Sequence, residues 1–236
     1  MAPPAAVESG SAPENLEFND KIYARVRVAN RSDVTHIYKL FYQIHQYHSM
    51  THLYKVSEDS LSNMLFNPSN PNNPPFHSPT ILLLEVSATE FPAPVPVPDG
   101  SGGFEPIVRA LDLKAPVRDT TEGAEFRSNA PDHDEAYVAG YAFFFPNYSC
   151  FYDRPGIFFE SLYFRESYRK LGFGRLLFSA VAAGAAAKGF SSVEGIVAVW
   201  NKKSYDFYVG MGVEIMDEFR YGKLTGEALQ AYANKN

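Results

Sequence analysis

Cysteine is almost absent from these 236 residues: Cys150 is the only one. No internal disulfide can form, so a small cross-linked secreted scaffold is excluded, and Cys150 reads first as a packing residue. No histidine stands near it in sequence to activate it as a nucleophile. No apolar run approaches the roughly 20 residues that cross a bilayer. Residues 1–17, rich in Pro, Ala, Ser and Glu, lack the basic-then-apolar order of a leader and read as a disordered tail. A positive surplus is missing as well. The formal charge of −6 leaves no obvious basic face for nucleic-acid phosphates, although a local basic turn could still take a small phosphorylated ligand. No internal repeat is visible. These absences lead to the expectation of a cytoplasmic protein without membrane or nucleic-acid partners.

What is present suits a packed core: 45% of residues are hydrophobic and 15% aromatic. One domain is expected over residues 18–236. Lys21–Val28 alternates Ile22, Ala24, Val26 and Val28 with Tyr23, Arg25 and Arg27, the pattern of a strand with one wet face. Ser32 or Asp33 can cap the following helix, where Ile37, Leu40, Phe41, Ile44 and Tyr47 recur at helical spacing. Ser57 caps a shorter helix that must end near Asn67, because Pro68 disfavours helical geometry before it. Residues 68–79 hold five prolines and three asparagines and read as a loop. Thr80–Ser87, with Ile81-Leu82-Leu83-Leu84, is a buried strand.

Residues 88–135 contain no periodic segment longer than 107–113. They read as a long insertion between two strands, partly mobile and on the surface. Strands follow at 137–145, 156–164 and 193–200, with a helix at 174–188 stopped by Gly189. Strand, helix, strand at this spacing implies a right-handed parallel crossover. A short helix over 203–211 and one or two further strands in 213–223 complete an α/β reading, a mixed sheet flanked by helices.

The most informative stretch is Arg169-Lys170-Leu171-Gly172-Phe173-Gly174-Arg175, a basic, glycine-spaced turn between a strand and a helix. Helix starts leave backbone N–H groups unpartnered and carry partial positive charge, so they hold anions. Glycines allow close approach, while Arg169, Lys170 and Arg175 add charge. The third glycine of a dinucleotide fingerprint is missing, and so is the Gly-Lys-Ser/Thr ending of a phosphate loop.

The pattern R-x-x-G-x-G resembles the acetyl-coenzyme A pyrophosphate loop of the GNAT acetyltransferase superfamily. Trp200-Asn201-Lys202-Lys203-Ser204-Tyr205-Asp206-Phe207-Tyr208-Val209-Gly210-Met211-Gly212 resembles the same superfamily's W-N-x-x-S/A-x-x-F/L-Y-x-x-x-G segment, and Phe158-Phe159-Glu160-Ser161-Leu162-Tyr163-Phe164 its splayed strand. Gln46-Tyr47-His48-Ser49-Met50 is similar to the end of its first helix. Together they resemble the diamine and polyamine acetyltransferase branch, which includes thialysine and plant ornithine enzymes. The resemblance implies a mixed, mostly antiparallel GNAT-like sheet, with acetyl-CoA as cosubstrate and a homodimer. It implies direct attack by a small primary amine in a ternary complex, with no metal.

The resemblance also assigns roles. Residues 169–175 would hold the pyrophosphate, and the backbone of Leu162, Tyr163 and Phe164 would pair with the pantetheine arm. Asn201 and Ser204 would touch the cofactor, with Asn201 also placed to cap a helix. Tyr208 would be the general acid to the thiolate. It lies one helical turn after Ser204, and its phenol is neutral yet able to donate. Glu160, a carboxylate in an apolar strand, needs a partner or a job; the implied one is to take the ammonium's proton, since an amine near pKa 10.4 is not a nucleophile until deprotonated.

Ser161 stands where the polyamine enzymes carry aspartate, and His48 where they carry glutamate. With two anionic partners missing, a short diamine or a diamino acid such as ornithine is expected, lined by Tyr47, His48, Glu160 and Ser161. A protein lysine or N-terminal acetyltransferase and a non-catalytic CoA-binding module are the rivals. His45, His48 and His52 share a helical spacing, but no carboxylate or cysteine nearby completes a metal site.

Overall fold

The computed structural model of the chain describes residues 16–66, 74–96, 103–149 and 153–233. Cys150 and most of the tail expected over residues 1–17 lie outside these. The tail's last two residues open the first strand, β1 (Leu16–Phe18). The chain divides into two compact units, Met1–Ile196 and Val197–Asn236.

The first unit is built on a six-stranded sheet in the order β4-β2-β3-β6-β7-β8. Its members are β2 (Lys21–Val28), β3 (Thr80–Ser87), β4 (Ile107–Asp112), β6 (Tyr137–Ser149), β7 (Arg154–Phe164) and β8 (Val193–Gly195). All neighbours are antiparallel except β7 and β8, which run parallel across α3 (Phe173–Ala187), as the expected crossover requires. The eight residues of β3 are all buried, as their unbroken apolar run demands. On one face lies α1 (Val34–Tyr47), whose Ile37, Leu40 and Phe41 pack with Ile81, Leu83, Val138 and Tyr141. The shorter α2 (Glu58–Leu65) joins this core through Leu61 and Leu65, and Ser57 caps it by accepting from Ser60 N at 3.1 Å. Gly140 permits close approach of β6 to β7: a Cβ there would lie 2.4 Å from the Tyr163 carbonyl oxygen.

Several expectations need correction. Asp33 holds the N-cap position of α1 but makes no side-chain cap bond there; the side-chain cap belongs to Asn30, which opens the preceding turn, Arg31–Asp33, by accepting from Ser32 N at 2.8 Å. Asp33 is instead buried in a charge network. The supposed wet face of β2 is dry: Arg25 and Arg27 are 4% and 9% exposed. Arg25 Nε donates to Glu85 at 2.8 Å and its Nη2 to Asp132 at 3.0 Å, while Arg27 spans Asp33 at 2.7 and 2.8 Å and Glu85 at 2.8 Å. Alternation marks two different faces, and here partners from elsewhere in the chain cover the polar one.

The insertion over residues 88–135 is woven into the fold. Its β4 forms the sheet edge against β2, and β5 (Val117–Asp119) pairs with β1 in a separate ribbon. Phe126 reaches the core, and Asp132 joins the arginine network. Beyond β7 the sheet is smaller than expected. The strand predicted over 193–200 stops at Gly195, where β7 bends away, and no strand forms among residues 213–223 of the second unit. That stretch is mostly exposed and finds no ladder partner within its own unit.

Glu85 is fully buried between two guanidinium groups, so removing it strands buried cations. Glu85→Ala is expected to lose about 3–5 kcal/mol of stability in urea unfolding; a loss below about 1 kcal/mol contradicts this account of the dry face.

Candidate active site

Strand β7 pairs with β8 only from Ile157 to Phe159. Beside it, the register against β6 shifts: Phe159 faces Phe144 and Ser161 faces Phe143, so Glu160 is the extra residue of a β-bulge. A bulge bends its strand and re-aims its side chains. Glu160 is accordingly exposed, not embedded among apolar neighbours as the sequence suggested. From Ser161 to Phe164, β7 pairs with β6 alone, leaving its other edge without a ladder partner among the described residues. Leu162, Tyr163 and Phe164 are half-buried along that edge, which presents backbone donors and acceptors to an extended ligand arm.

Past β7 the chain makes a short turn, Glu166–Tyr168, and then folds Arg169 back. Arg169 Nε donates to the Phe164 carbonyl at 2.9 Å and Nη2 to the Tyr163 hydroxyl at 3.2 Å, with the guanidinium 5.5 Å from the Tyr47 ring and 5.3 Å from that of Tyr163. Arg169 thus clamps strand to loop, whereas Lys170 and Arg175 are exposed cations and Leu171 is half-buried. Lys170 (φ 66°) and Gly172 (φ 85°) adopt left-handed backbone that turns the chain into α3. Phe173 is buried and anchors the helix start. No side chain caps α3, and the first closing bond runs from Leu176 N to Gly172 O at 3.2 Å, so the amides of Phe173, Gly174 and Arg175 have no helical partner. Nothing stands within 4 Å of where a Gly172 Cβ would lie. Free donors, open space and two cations fit a coenzyme A pyrophosphate.

On the α1 face of the sheet, Tyr47 is exposed and the half-buried His48 meets it edge-on at 5.4 Å. Burial, and secondarily His45, hold the His48 imidazole below its ordinary pKa, leaving the ring uncharged at neutral pH. Ser161 Oγ donates to the buried Tyr141 hydroxyl at 3.1 Å. Beside this pair runs a row of half-buried rings, Phe143 to Phe145 at 6.0 Å and Phe145 to Phe158 stacked at 5.2 Å. A cleft of about 300 Å³ lies between α1, the insertion and the loop, lined among others by Gln43, Tyr47, Glu122, Tyr163 and Arg169. His45 is engaged by the Phe41 carbonyl at 2.7 Å and the Tyr54 ring at 4.9 Å. Among the described residues no three His, Cys, Asp or Glu side chains are grouped to hold a metal, and no helix is long and apolar enough to cross a membrane.

The second unit holds Asn201, Ser204 and Tyr208. Asn201 Oδ1 accepts from Ser204 N at 3.2 Å and so caps α4 (Lys202–Gly210), the helix foreseen there. Tyr208 packs edge-on against Phe207 at 5.1 Å, and burial pushes its phenol up to about 12. Sequence reasoning missed Asp119, Glu122 and Arg165, which meet beneath the loop, and the ring row, for which Phe143-Phe144-Phe145 was a signal.

Comparison with known proteins gives this fold its class, an acyltransferase that uses a coenzyme A thioester. The acetyltransferase (GNAT) family profile matches residues 105–213. Tyramine N-feruloyltransferase 4/11 of Nicotiana tabacum is 60% identical over 224 residues, covering 94% of this chain and 96% of that one. L-ornithine N5-acetyltransferase NATA1 of Arabidopsis thaliana is 37% identical over 238 residues, covering both chains fully, 100% of each. An integron cassette protein of V. cholerae shares the fold with TM-score 0.52 at 15% identity over 89% of this chain and 98% of that one. A possible acetyltransferase from Clostridium difficile 630 does so with TM-score 0.51 at 12% identity over 86% and 99%. The chain belongs to the GNAT acetyltransferase family, whose donor is acetyl-CoA, and it is an amine N-acyltransferase.

Gly172 and Gly189 both have positive φ, at the two ends of α3. Gly172→Ala is expected to weaken CoA binding in titration calorimetry by about tenfold, whereas Gly189→Ala, about 25 Å away along the helix, leaves it unchanged. Equal effects at both positions contradict the loop assignment.

Proposed function

We propose that the protein joins an aromatic acyl group, carried as a hydroxycinnamoyl-CoA, to the primary amine of an arylalkylamine such as tyramine. The observation that carries this reading is the row of half-buried rings, Phe143, Phe145 and Phe158, running beside Ser161 and its Tyr141 hydrogen bond. Such a surface gains free energy by covering an aromatic ring and supplies none of the carboxylates that several ammonium groups of a polycation would pair with. The two anionic partners that a polyamine site would use are replaced by Ser161 and an uncharged His48. Identity of 60% to a tobacco protein named for tyramine feruloylation supports the same substrate classes.

In this reading Glu160, exposed at the bulge, takes the ammonium's proton directly or through water. Tyr208 returns a proton to the departing thiolate, and its raised pKa keeps it protonated throughout the working range. Leu162, Tyr163 and Phe164 hold the pantetheine arm by backbone, residues 169–175 hold the pyrophosphate, and Asn201 and Ser204 add contacts to the donor. Tyr47 and His48 line the amine's approach. The second unit exposes Trp200, Met216, Phe219 and Tyr221, which suits burial against a second copy in a homodimer.

A second reading, acetylation of ornithine or a short diamine from acetyl-CoA, is favoured by the end-to-end match to the Arabidopsis ornithine enzyme. A panel decides between them. Feruloyl-CoA with tyramine is expected to exceed acetyl-CoA with ornithine, 1,3-diaminopropane or spermidine by at least about tenfold in kcat/KM. The reverse order overturns the first reading in favour of the second. Phe145→Ala is expected to cost about 10- to 100-fold with the feruloyl donor and much less with acetyl-CoA. Tyr208→Phe should lower kcat by about 10²- to 10⁴-fold while CoA affinity stays unchanged. The wild-type profile should rise with pH as the amine deprotonates, with no falling limb from Tyr208 below about pH 11.

A further inference from the structure

Arg165 stands between β7 and the pyrophosphate loop, and it is 1% exposed. Its backbone N–H donates to Ala139 O at 2.9 Å, and its Nη1 to Val138 O at 3.1 Å. Nη2 donates to Asp119 Oδ2 at 2.5 Å, and Nε reaches Glu122 at 3.4 Å. The guanidinium lies 4.2 Å from the Phe126 ring centroid. Three of these partners, Asp119, Glu122 and Phe126, belong to the insertion.

Tyr168, three residues on, donates its hydroxyl to the same Asp119 oxygen at 2.9 Å. Burial, reinforced by that carboxylate, raises the phenol's pKa, so it remains a donor. Its ring meets Phe18 of β1 edge-on at 6.2 Å, and β1 is the strand that pairs with β5. One buried carboxylate oxygen therefore ties both ends of the turn from Arg165 to Tyr168. Arg169, the next residue, makes the strand-to-loop clamp, and the left-handed Lys170 and Gly172 then cross to the buried Phe173. The anion-binding stretch is slung between two fixed points, and the insertion holds the first of them.

We propose that Asp119 is a positioning residue for the acyl-CoA donor: through Arg165 and Tyr168 it sets where the pyrophosphate loop begins, so the insertion governs donor affinity. Neither Asp119 nor Tyr168 is needed to touch the donor. A charge buried this deeply requires its partner, so Asp119 also contributes to stability. The distinguishing property is therefore a split in the kinetics. A displaced turn misaims the free amides of α3 and weakens donor binding, while the amine site and the proton-transfer groups are left as they were.

The test uses Asp119→Asn, Tyr168→Phe and, as control, Arg118→Ala, which removes only the exposed Arg118–Glu17 pair beside Asp119. CoA affinity is measured by titration calorimetry, and KM for each substrate and kcat by thiol release. Tyr168→Phe keeps the ring and the Asp119–Arg165 pair intact, so it decides the matter even where Asp119→Asn does not fold. Expected for Tyr168→Phe is a rise of about tenfold in CoA Kd and donor KM, the size of one charge-assisted hydrogen bond, with amine KM and saturating kcat within about twofold of wild type. Arg118→Ala should match wild type. A lowered melting midpoint with unchanged CoA affinity makes the network merely structural and overturns the proposal, as does an equal loss in both substrates' KM. The inference rests on the family's coenzyme A donor and not on the proposed amine: CoA titration still reads it if the tyramine assignment fails.

Discussion

From Ser161 onward β7 has a ladder partner on one side only among the described residues, and much of the candidate site derives from that departure. The single extra residue at Glu160 breaks the ladder register, bends the strand away from β8 and turns a carboxylate outward. An unpaired strand edge inside a sheet would ordinarily leave backbone groups wanting. Here that edge, apart from the Phe164 carbonyl that Arg169 occupies, is where an extended amide-bearing arm would add itself as a strand in the proposed reading, and beyond the turn of residues 165–172 the chain reaches a helix start whose first amides have no helical partner. In the proposed reading backbone groups meet the thioester arm and, with Lys170 and Arg175, the pyrophosphate, which leaves the other side chains for the choice of acyl group and amine.

The sheet is also stiffened from a direction that a hydrophobic-core picture overlooks. Two buried charge networks, Arg25–Glu85–Arg27–Asp33 and Asp119–Arg165, flank the strands, and both are completed by residues of the insertion. Burying such ions costs several kcal/mol each, offset here by pairing that leaves Arg27 Nε as an unmet buried donor, so these networks constrain how the insertion lies against the sheet rather than add net stability. In this protein the insertion supplies an edge strand and a floor under the loop.

The turn before α3 was legible in the sequence because its requirements are local. Two glycines, flanking basic residues and an adjoining helical pattern point to a tight strand-to-helix turn, and Gly172 does take the left-handed conformation that such a turn needs. The helix caps at Ser57 and Asn201 were legible for the same reason. What escaped was non-local. Period-two alternation says that Arg25 and Arg27 share a face of β2, not that Glu85 and Asp132 will cover it. It places Glu160 on a strand but cannot reveal a register slip against β6. Asp119 and Arg165 lie 46 positions apart, so neither could be seen to answer the other. The strands expected beyond Gly195 failed because an apolar pattern supplies a strand only where a neighbouring edge is there to meet it.

The central claim is that the unpaired edge of β7 and the start of α3 form one continuous backbone receptor for coenzyme A. Amide hydrogen exchange with and without CoA tests it most directly. The account predicts that CoA slows exchange together in two places, the free edge of β7 between Ser161 and Phe164 and the amides of residues 172–175, with little change in β2 and β3. Protection confined to other elements, or absent from both of these at saturating CoA, would contradict it.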